Sequence, residues 1–280
     1  MTIEKVINNN VVTAIDDSKQ EVVLMGKGIG FQAKQGNRID KEKIEKKFVL
    51  SDKDEIGKFE EIVGSIPVEY LDVCLEIINY AMGVLGKRLS SSIYISLTDH
   101  INFAVERYKT GIICENPLMA EVKTFYKNEY TVGQYAVEIV EKKLGIKLPI
   151  DEAASIAMHF VNAEYNTLMN ETMHITSLIR EIVLLVENET GVRQEALEVV
   201  YDRFMAHLKF FVFRMFNDTQ LTEQSDEYNQ MVIHLYPDAY EVVEKIAVYV
   251  KGKYEYEMRQ DEKVNMSIHV NRILSNIVED

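Results

Sequence analysis

The stretches DHINF at residues 99–103 and DEAASIAMH at residues 151–159 decide the fold, because both return later in the chain. A histidine beside apolar and aromatic residues recurs in HLKF at residues 207–210. A second Asp-Glu pair, at residues 261–262, again precedes a histidine by eight positions. The first histidines of the two copies are 107 residues apart and the second histidines 110, so the sequence predicts a duplicated module.

The residues around these stretches have the spacing of amphipathic helices. Between Val68 and Leu85, apolar residues recur every three or four positions, which is the period of one helix face. The same pattern predicts helices over Ile93–Val105, Tyr130–Leu144, Asp151–Glu164, Thr176–Val186, Glu195–Phe216, Pro237–Tyr254 and Asp261–Ile277. We therefore expect two homologous all-α helical bundles, residues 65–170 and residues 171–280.

The first 50 residues differ from the rest and predict a small β domain. Apolar and polar residues alternate over Ile3–Ile7 and Val11–Ile15, and further short strands are expected at Val22–Met25 and Lys47–Leu50. Glycines at positions 26, 28 and 30 allow positive φ or a close approach of the backbone. Because so short a domain has a marginal core, we expect it to dimerise with a second copy.

Charge is distributed unevenly between these parts. The chain of 280 residues has a net charge of -14. Residues 1–50 hold nine basic and seven acidic side chains, whereas the remainder holds 22 basic and 38 acidic ones. An acidic body repels nucleic acid, so any such contact is expected within residues 1–50. The sequence suggests no signal peptide or membrane span, and Cys74 and Cys114 are too few for a disulfide framework, so we expect a cytoplasmic protein.

Three chemistries compete for the duplicated histidines, His100, His159, His207 and His269. Metal binding lacks an HExxH or similar ligand spacing, and acid–base catalysis lacks a nucleophile motif, although Asp99 or Asp202 could orient a ring. Phosphoryl acceptance needs only a neutral imidazole and a setting that responds to added negative charge. Arg203, Lys209 and Arg272 could pair with a phosphoryl group in the second copy, whereas Asp99 and Glu164 would repel one in the first.

Several ordered motifs carry a family resemblance. KVINNNVV at 5–12, MGKGIGFQ at 25–32, IEKKF at 44–48, SLTDHINFA at 96–104, AHLKFF at 206–211 and SIHVNR at 267–272 are similar to stretches of the BglG/SacY/LicT transcriptional antiterminators. The resemblance implies a four-stranded antiparallel co-antiterminator (CAT) RNA-binding domain in residues 1–56, followed by two phosphotransferase-system (PTS) regulation domains, PRD1 (65–170) and PRD2 (171–280). It also implies a homodimer that binds an RNA antiterminator hairpin in a leader transcript. Binding stabilises the hairpin and prevents the overlapping terminator from forming, so that polymerase reads on.

The resemblance further implies how such a protein is controlled and which residues act. Phosphorylation of His100 and His159 by the sugar permease EIIB inactivates, and phosphorylation of His207 and His269 by HPr activates, for a β-glucoside operon. No enzymatic turnover, cofactor or metal is implied. The RNA-contacting positions fall on Lys5, Asn8, Asn10, Gly26, Lys27, Gly28 and Phe31, with Lys27 where relatives often carry Arg.

Other interpretations remain open on the residues alone. Asn8–Asn10 would also suit a plain hairpin turn, and Phe31 a dimer core. A DNA-binding activator sharing only the regulatory modules would need a helix-turn-helix or ATPase module, which the strand-like first residues do not suggest. A histidine-based metalloenzyme is the other alternative.

Overall fold

The computed structural model describes residues 1–49, 66–194, 197–217 and 225–276. It divides into two compact units, Met1–Thr167 and Leu168–Asp280. The first unit contains a β-sheet and one helical module, and the second contains the other module. None of the described helices is long and apolar enough to cross a membrane.

A four-stranded antiparallel sheet forms the beginning of the first unit, as the sequence predicts. Its strands are β1 (Thr2–Asn8), β2 (Val11–Ile15), β3 (Glu21–Met25) and β4 (Lys46–Val49), and they pair in chain order. Leu50, the expected last residue of β4, lies outside the described residues. The tight β1–β2 turn is closed by the side chain of Asn8, whose Oδ1 accepts a hydrogen bond from the backbone N–H of Asn10 at 2.9 Å.

Both faces of this sheet are covered, which explains why β2 and β3 are almost continuously apolar. On one face, Val12, Val22 and Leu24 pack with Ile3 and Ile29. On the other face, Val11, Val23 and Met25 pack against Leu71 of the first helix. The small sheet therefore draws part of its apolar cover from its own helical module.

Ten helices follow in the described residues, as the predicted all-α body requires. In the first unit they are α1 (Val68–Leu85), α2 (Ile93–Lys109), α3 (Met119–Phe125), α4 (Lys127–Leu144) and α5 (Asp151–Tyr165). In the second they are α6 (Met169–Thr190), α7 (Glu198–Phe216), α8 (Asp226–Leu235), α9 (Pro237–Tyr254) and α10 (Gln260–Ser275). The short helices α3 and α8 were not predicted from the sequence.

The core of the first module depends on a close crossing of α4 and α5. A Cβ at Gly133 would lie only 1.9 Å from the backbone oxygen of Ala153, so only glycine fits at this position. The crossing carries Val132 and Phe160 into one buried cluster with Ile77 and Leu97 of α1 and α2. It therefore fixes α5 against the rest of the module.

The two modules differ in length at one place only between their histidines. The start of α3 and the start of α8 are 107 residues apart, whereas the starts of α4 and α9 are 110 residues apart. The three extra residues lie in the short helix itself, since α3 has seven residues and α8 has ten. The long helices before and after it keep their correspondence.

Candidate functional site

In the first module, the fold brings His100 of α2 and His159 of α5 together. Their ring centroids are 4.7 Å apart and the ring planes are inclined by 48°. Burial, with a smaller effect from His100, lowers the pKa of His159 from 6.5 to about 3. His159 is therefore neutral at pH 7 and keeps a nitrogen lone pair.

A buried carboxylate joins this pair to an arginine. Glu152, at the start of α5, places Oε2 3.0 Å from Nε2 of His100 and Oε1 2.6 Å from Nη2 of Arg107. The His100 contact has the distance of a hydrogen bond without its alignment. Burial alone would raise the pKa of Glu152, but His100 and Arg107 outweigh burial and lower it. Glu152 is thus a charged neighbour of the first pair.

In the second module, His207 of α7 and His269 of α10 stack more closely. Their ring centroids are 3.6 Å apart and the planes are inclined by 22°. Burial, then His207 and Arg272, lower the pKa of His269 to about 4. Burial, then Arg272 and Arg214, lower the pKa of His207 as well. His207 is exposed whereas His269 is buried, so the pair has an accessible member and an inner one.

The loop after β3 and the β1–β2 turn form a second candidate site. The backbone N–H of Gly28 donates to Oδ1 of Asn10 at 2.8 Å, and the N–H of Gly26 donates to the backbone oxygen of Asn10 at 3.0 Å. Gly28 adopts a φ of +71°, which favours glycine. Gly26 is required for a different reason, since a Cβ there would lie 1.7 Å from the backbone oxygen of Lys43.

The exposed groups around this cluster suit RNA. The side chain of Phe31 is 60% exposed, as a ring that stacks on an unpaired base must be. Lys5 on β1 and Lys27 in the loop are also exposed. Asn10, in contrast, is buried, and its Nδ2 donates to Oδ1 of Asp72 on α1 at 3.3 Å. One of the expected RNA contacts is therefore engaged by the helical module.

Comparison with known proteins assigns both parts of the chain to known domain families. Residues 1–56 match the CAT RNA binding domain family, and residues 75–163 and 180–273 each match the PRD domain family. The transcription antiterminator LicT of Bacillus subtilis (strain 168) is 42% identical over 274 residues, which cover 98% of this chain and 99% of that protein. The β-glucoside operon antiterminator of Dickeya chrysanthemi is 36% identical, with 100% and 99% covered. The chain belongs to the LicT/BglG-type transcription antiterminators.

A solved structure supports the fold of this antiterminator's first unit. The crystal structure of GlcT CAT-PRDI is 34% identical and aligns with a TM-score of 0.54, covering 58% of this chain and 97% of that one. The chain is thus an RNA-binding regulator with a CAT domain and PRD domains, and its relatives regulate transcription rather than catalyse reactions. Within the described residues, no cluster of three His, Cys, Asp or Glu side chains could hold a metal ion.

The charged residues around the antiterminator's histidines differ in part from those expected from the sequence. Arg272 acts on both rings of the second pair, as expected. In the first module, however, Asp99 is exposed and Glu164 pairs with Lys87, while Glu152 is the carboxylate that meets His100. The repeated Asp-Glu pair was visible in the sequence, but its reach to α2 depends on how α5 crosses that helix.

Two arginines near the histidine pairs were not predicted from the sequence. Arg107 and Arg214 each follow the first histidine of their module by seven residues, which places them two helical turns away on the same face. That spacing was the signal that could have identified them. The guanidinium of Arg107 also lies over the exposed ring of Phe103, 4.7 Å from its centroid.

Proposed function

We propose that this antiterminator is switched by phosphorylation of His100, His159, His207 and His269. The observation that carries the proposal is the pairing of histidine rings in both modules, at 4.7 Å and 3.6 Å, with lowered pKa values for three of the four. A lowered pKa keeps imidazole neutral, and neutral imidazole is the nucleophile toward an activated phosphoryl group. A phosphoryl group then adds close to two negative charges at an interface between two helices.

The two pairs are proposed to act in opposite directions. Phosphorylation of His207 and His269 by HPr activates, because Arg214 and Arg272 can hold the new dianion and reinforce the α7–α10 contact. Phosphorylation of His100 and His159 by the sugar permease EIIB inactivates, because the dianion meets the buried charge of Glu152 and loosens α2 from α5. PRD1 (65–170) and PRD2 (171–280) are thus assigned to the two inputs; the boundary near residue 65 lies outside the described residues.

The CAT domain is proposed to work as a homodimer on an RNA antiterminator hairpin in the leader transcript. Lys5, Asn8, Asn10, Gly26, Lys27, Gly28 and Phe31 are the proposed contacts. Two of them, Lys27 and Phe31, present a cation and an aromatic ring from one loop, which suits phosphate and an unstacked base. The name of the Dickeya relative favours a β-glucoside operon as the target. Because transcripts are bound during synthesis, we place the activity in the cytoplasm.

Reporter assays and phosphate mapping test the switch. His207→Asp and His269→Asp, which add a negative charge, are expected to raise antitermination in cells that lack HPr phosphorylation. His100→Asp is expected to abolish it. Incubation of the full chain with phosphorylated HPr should label only the second pair. Label confined to the first pair, or unchanged reporter output in all variants, would contradict the assignment.

RNA binding by the full chain tests the proposed role of the loop after β3. Lys27→Ala should weaken hairpin binding and reduce the slope of log affinity against log salt by about 0.7–0.9. Lys19→Ala is the matched control, because it removes an exposed lysine from the β2–β3 turn at the opposite end of the sheet. Equal effects of both substitutions would show that net charge, rather than this loop, governs binding.

A further inference from the structure

A glutamate at the same position of each module makes different contacts in the two modules. Glu152 and Glu262 correspond at an offset of 110 residues, the offset of His159 and His269. In the first module Glu152 contacts His100 and Arg107. In the second, both carboxylate oxygens of Glu262 accept from the hydroxyl of Tyr256 at 3.0 Å, and Oε2 also accepts from the backbone N–H of Arg259 at 3.0 Å.

The sequence explains this difference, because the first module lacks two hydrogen-bond donors that the second module has. At the same offset, Ile146 stands where the second module has Tyr256, and Pro149 stands where it has Arg259. Isoleucine has no hydroxyl group and proline has no backbone N–H. Glu152 therefore lacks both groups that hold Glu262 at the start of its helix, and it reaches across to α2.

The consequence for the histidines is a difference in local charge. In the described part of the chain, no carboxylate lies within ion-pair distance of His207 or His269, and Arg214 forms no ion pair with Glu262. Arg272 is an additional cation on this side, since its counterpart in the first module is Asn162. In the first module, Glu152 lies at His100 and already neutralises Arg107.

We propose that Tyr256 is a positioning residue that keeps Glu262 away from His207 and His269, and so makes the second pair the more readily phosphorylated of the two. This inference rests on the proposed role of the histidines as phosphate acceptors. With Glu262 held by Tyr256, Arg214 and Arg272 are left to receive the phosphoryl oxygens. In the first module an incoming dianion must displace Glu152 before Arg107 can bind it.

The probe is potassium phosphoramidate, a small donor that needs no docking surface, applied to the full chain. The lone pair of the imidazole forms the new nitrogen–phosphorus bond, the donor's own nitrogen–phosphorus bond breaks, and ammonia departs. The ring keeps its proton on the other nitrogen. Peptide mass spectrometry then gives the ratio of phosphate on the second pair to phosphate on the first, so the first pair is an internal standard.

Tyr256→Phe removes the hydroxyl that donates to both carboxylate oxygens of Glu262 and keeps the ring that packs on Phe211. We expect it to lower the phosphorylation ratio by about tenfold, because the freed carboxylate then faces the incoming dianion. Adding Glu262→Gln should restore the ratio, since the amide is neutral and still caps the helix. Tyr254→Phe removes a neighbouring hydroxyl that bonds elsewhere, to Glu181, and should change nothing.

The outcomes separate this inference from the proposed function. If Tyr256→Phe leaves the ratio unchanged, or Glu262→Gln fails to restore it, Tyr256 does not act through Glu262 and the inference is wrong. If the parent chain takes phosphate on none of the four histidines, even from phosphorylated HPr, the proposed function fails and the inference fails with it. Loss of phosphate after Tyr256→Phe with full restoration in the double variant supports both.

Discussion

Gly133→Ala tests the close crossing of α4 and α5 that positions His159. The added methyl carbon would lie 1.9 Å from the backbone oxygen of Ala153. A carbon–oxygen contact needs about 3.3 Å, so the helices must separate by more than about 1 Å. Overpacking of this kind costs about 1–3 kcal/mol, and the clash is with rigid backbone, so we expect the upper part of that range. The better helix propensity of alanine offsets about 1 kcal/mol.

The net expectation is therefore a loss of about 1–2 kcal/mol from the free energy of unfolding of the first unit. For a unit of this size, melting temperature changes by about 2–4 °C per kcal/mol, so it should fall by about 2–8 °C. Differential scanning calorimetry of the full chain measures this shift. Ring contact between His100 and His159 should loosen with it, because α5 carries His159 away from α2.

Gly83→Ala is the matched control. Gly83 lies in α1 of the same unit, at ordinary helical φ, and a Cβ there would meet nothing within 4 Å. It should stabilise the unit by about 0.5–1 kcal/mol. If Gly133→Ala melts at or above the temperature of Gly83→Ala, the crossing is not as tight as described and the reasoning fails.

Three further predictions concern charge and reactivity. Asp72→Ala should strengthen hairpin binding by the full chain about fivefold, because it removes a carboxylate beside Asn10, an expected RNA contact. Glu69→Ala on the same helix is the control and should have little effect in the same binding titration. The lowered pKa of His269 means that the unfolded chain binds more protons between pH 6.5 and about 4, so the free energy of unfolding should fall as pH falls through that window. Urea titrations should show a flatter pH dependence in His269→Asn, and coinciding pH profiles of the parent chain and this variant would refute the prediction. Burial raises the pKa of the Cys74 thiol to about 12, so iodoacetamide should modify the exposed Cys114 in the folded chain and reach Cys74 only after unfolding. If mass spectrometry detects equal modification of both cysteines in the folded chain, the buried position of Cys74 is wrong.

Long periodic stretches made most of the fold predictable from the sequence. The helix from Val68 to Leu85 and the helix from Pro237 to Tyr254 have the bounds that their apolar spacing indicated. The short helices were missed because seven to ten residues hold too few turns to establish a period.

The histidine pairs were predictable, but their surroundings were not. Repetition alone indicated His100, His159, His207 and His269, since a duplicated spacing is visible in one sequence. Which carboxylate lies beside His100 depends on how α5 crosses α2. It also depends on the absence of donors near Glu152, since Pro149 has no backbone N–H. In the same way, nothing in the sequence showed that Asn10 bonds to a helix more than 60 residues away.

The seven residues of α3 against the ten of α8 show where a module of this kind can change in length. Both versions occur in one chain, and in both the histidine rings still meet. The long helices therefore act as a fixed frame, and the short helix is a joint that accepts nearly a full turn of extra chain. A fluorescent tag or a foreign peptide spliced at that joint could be carried by either module with its histidine pair left in place.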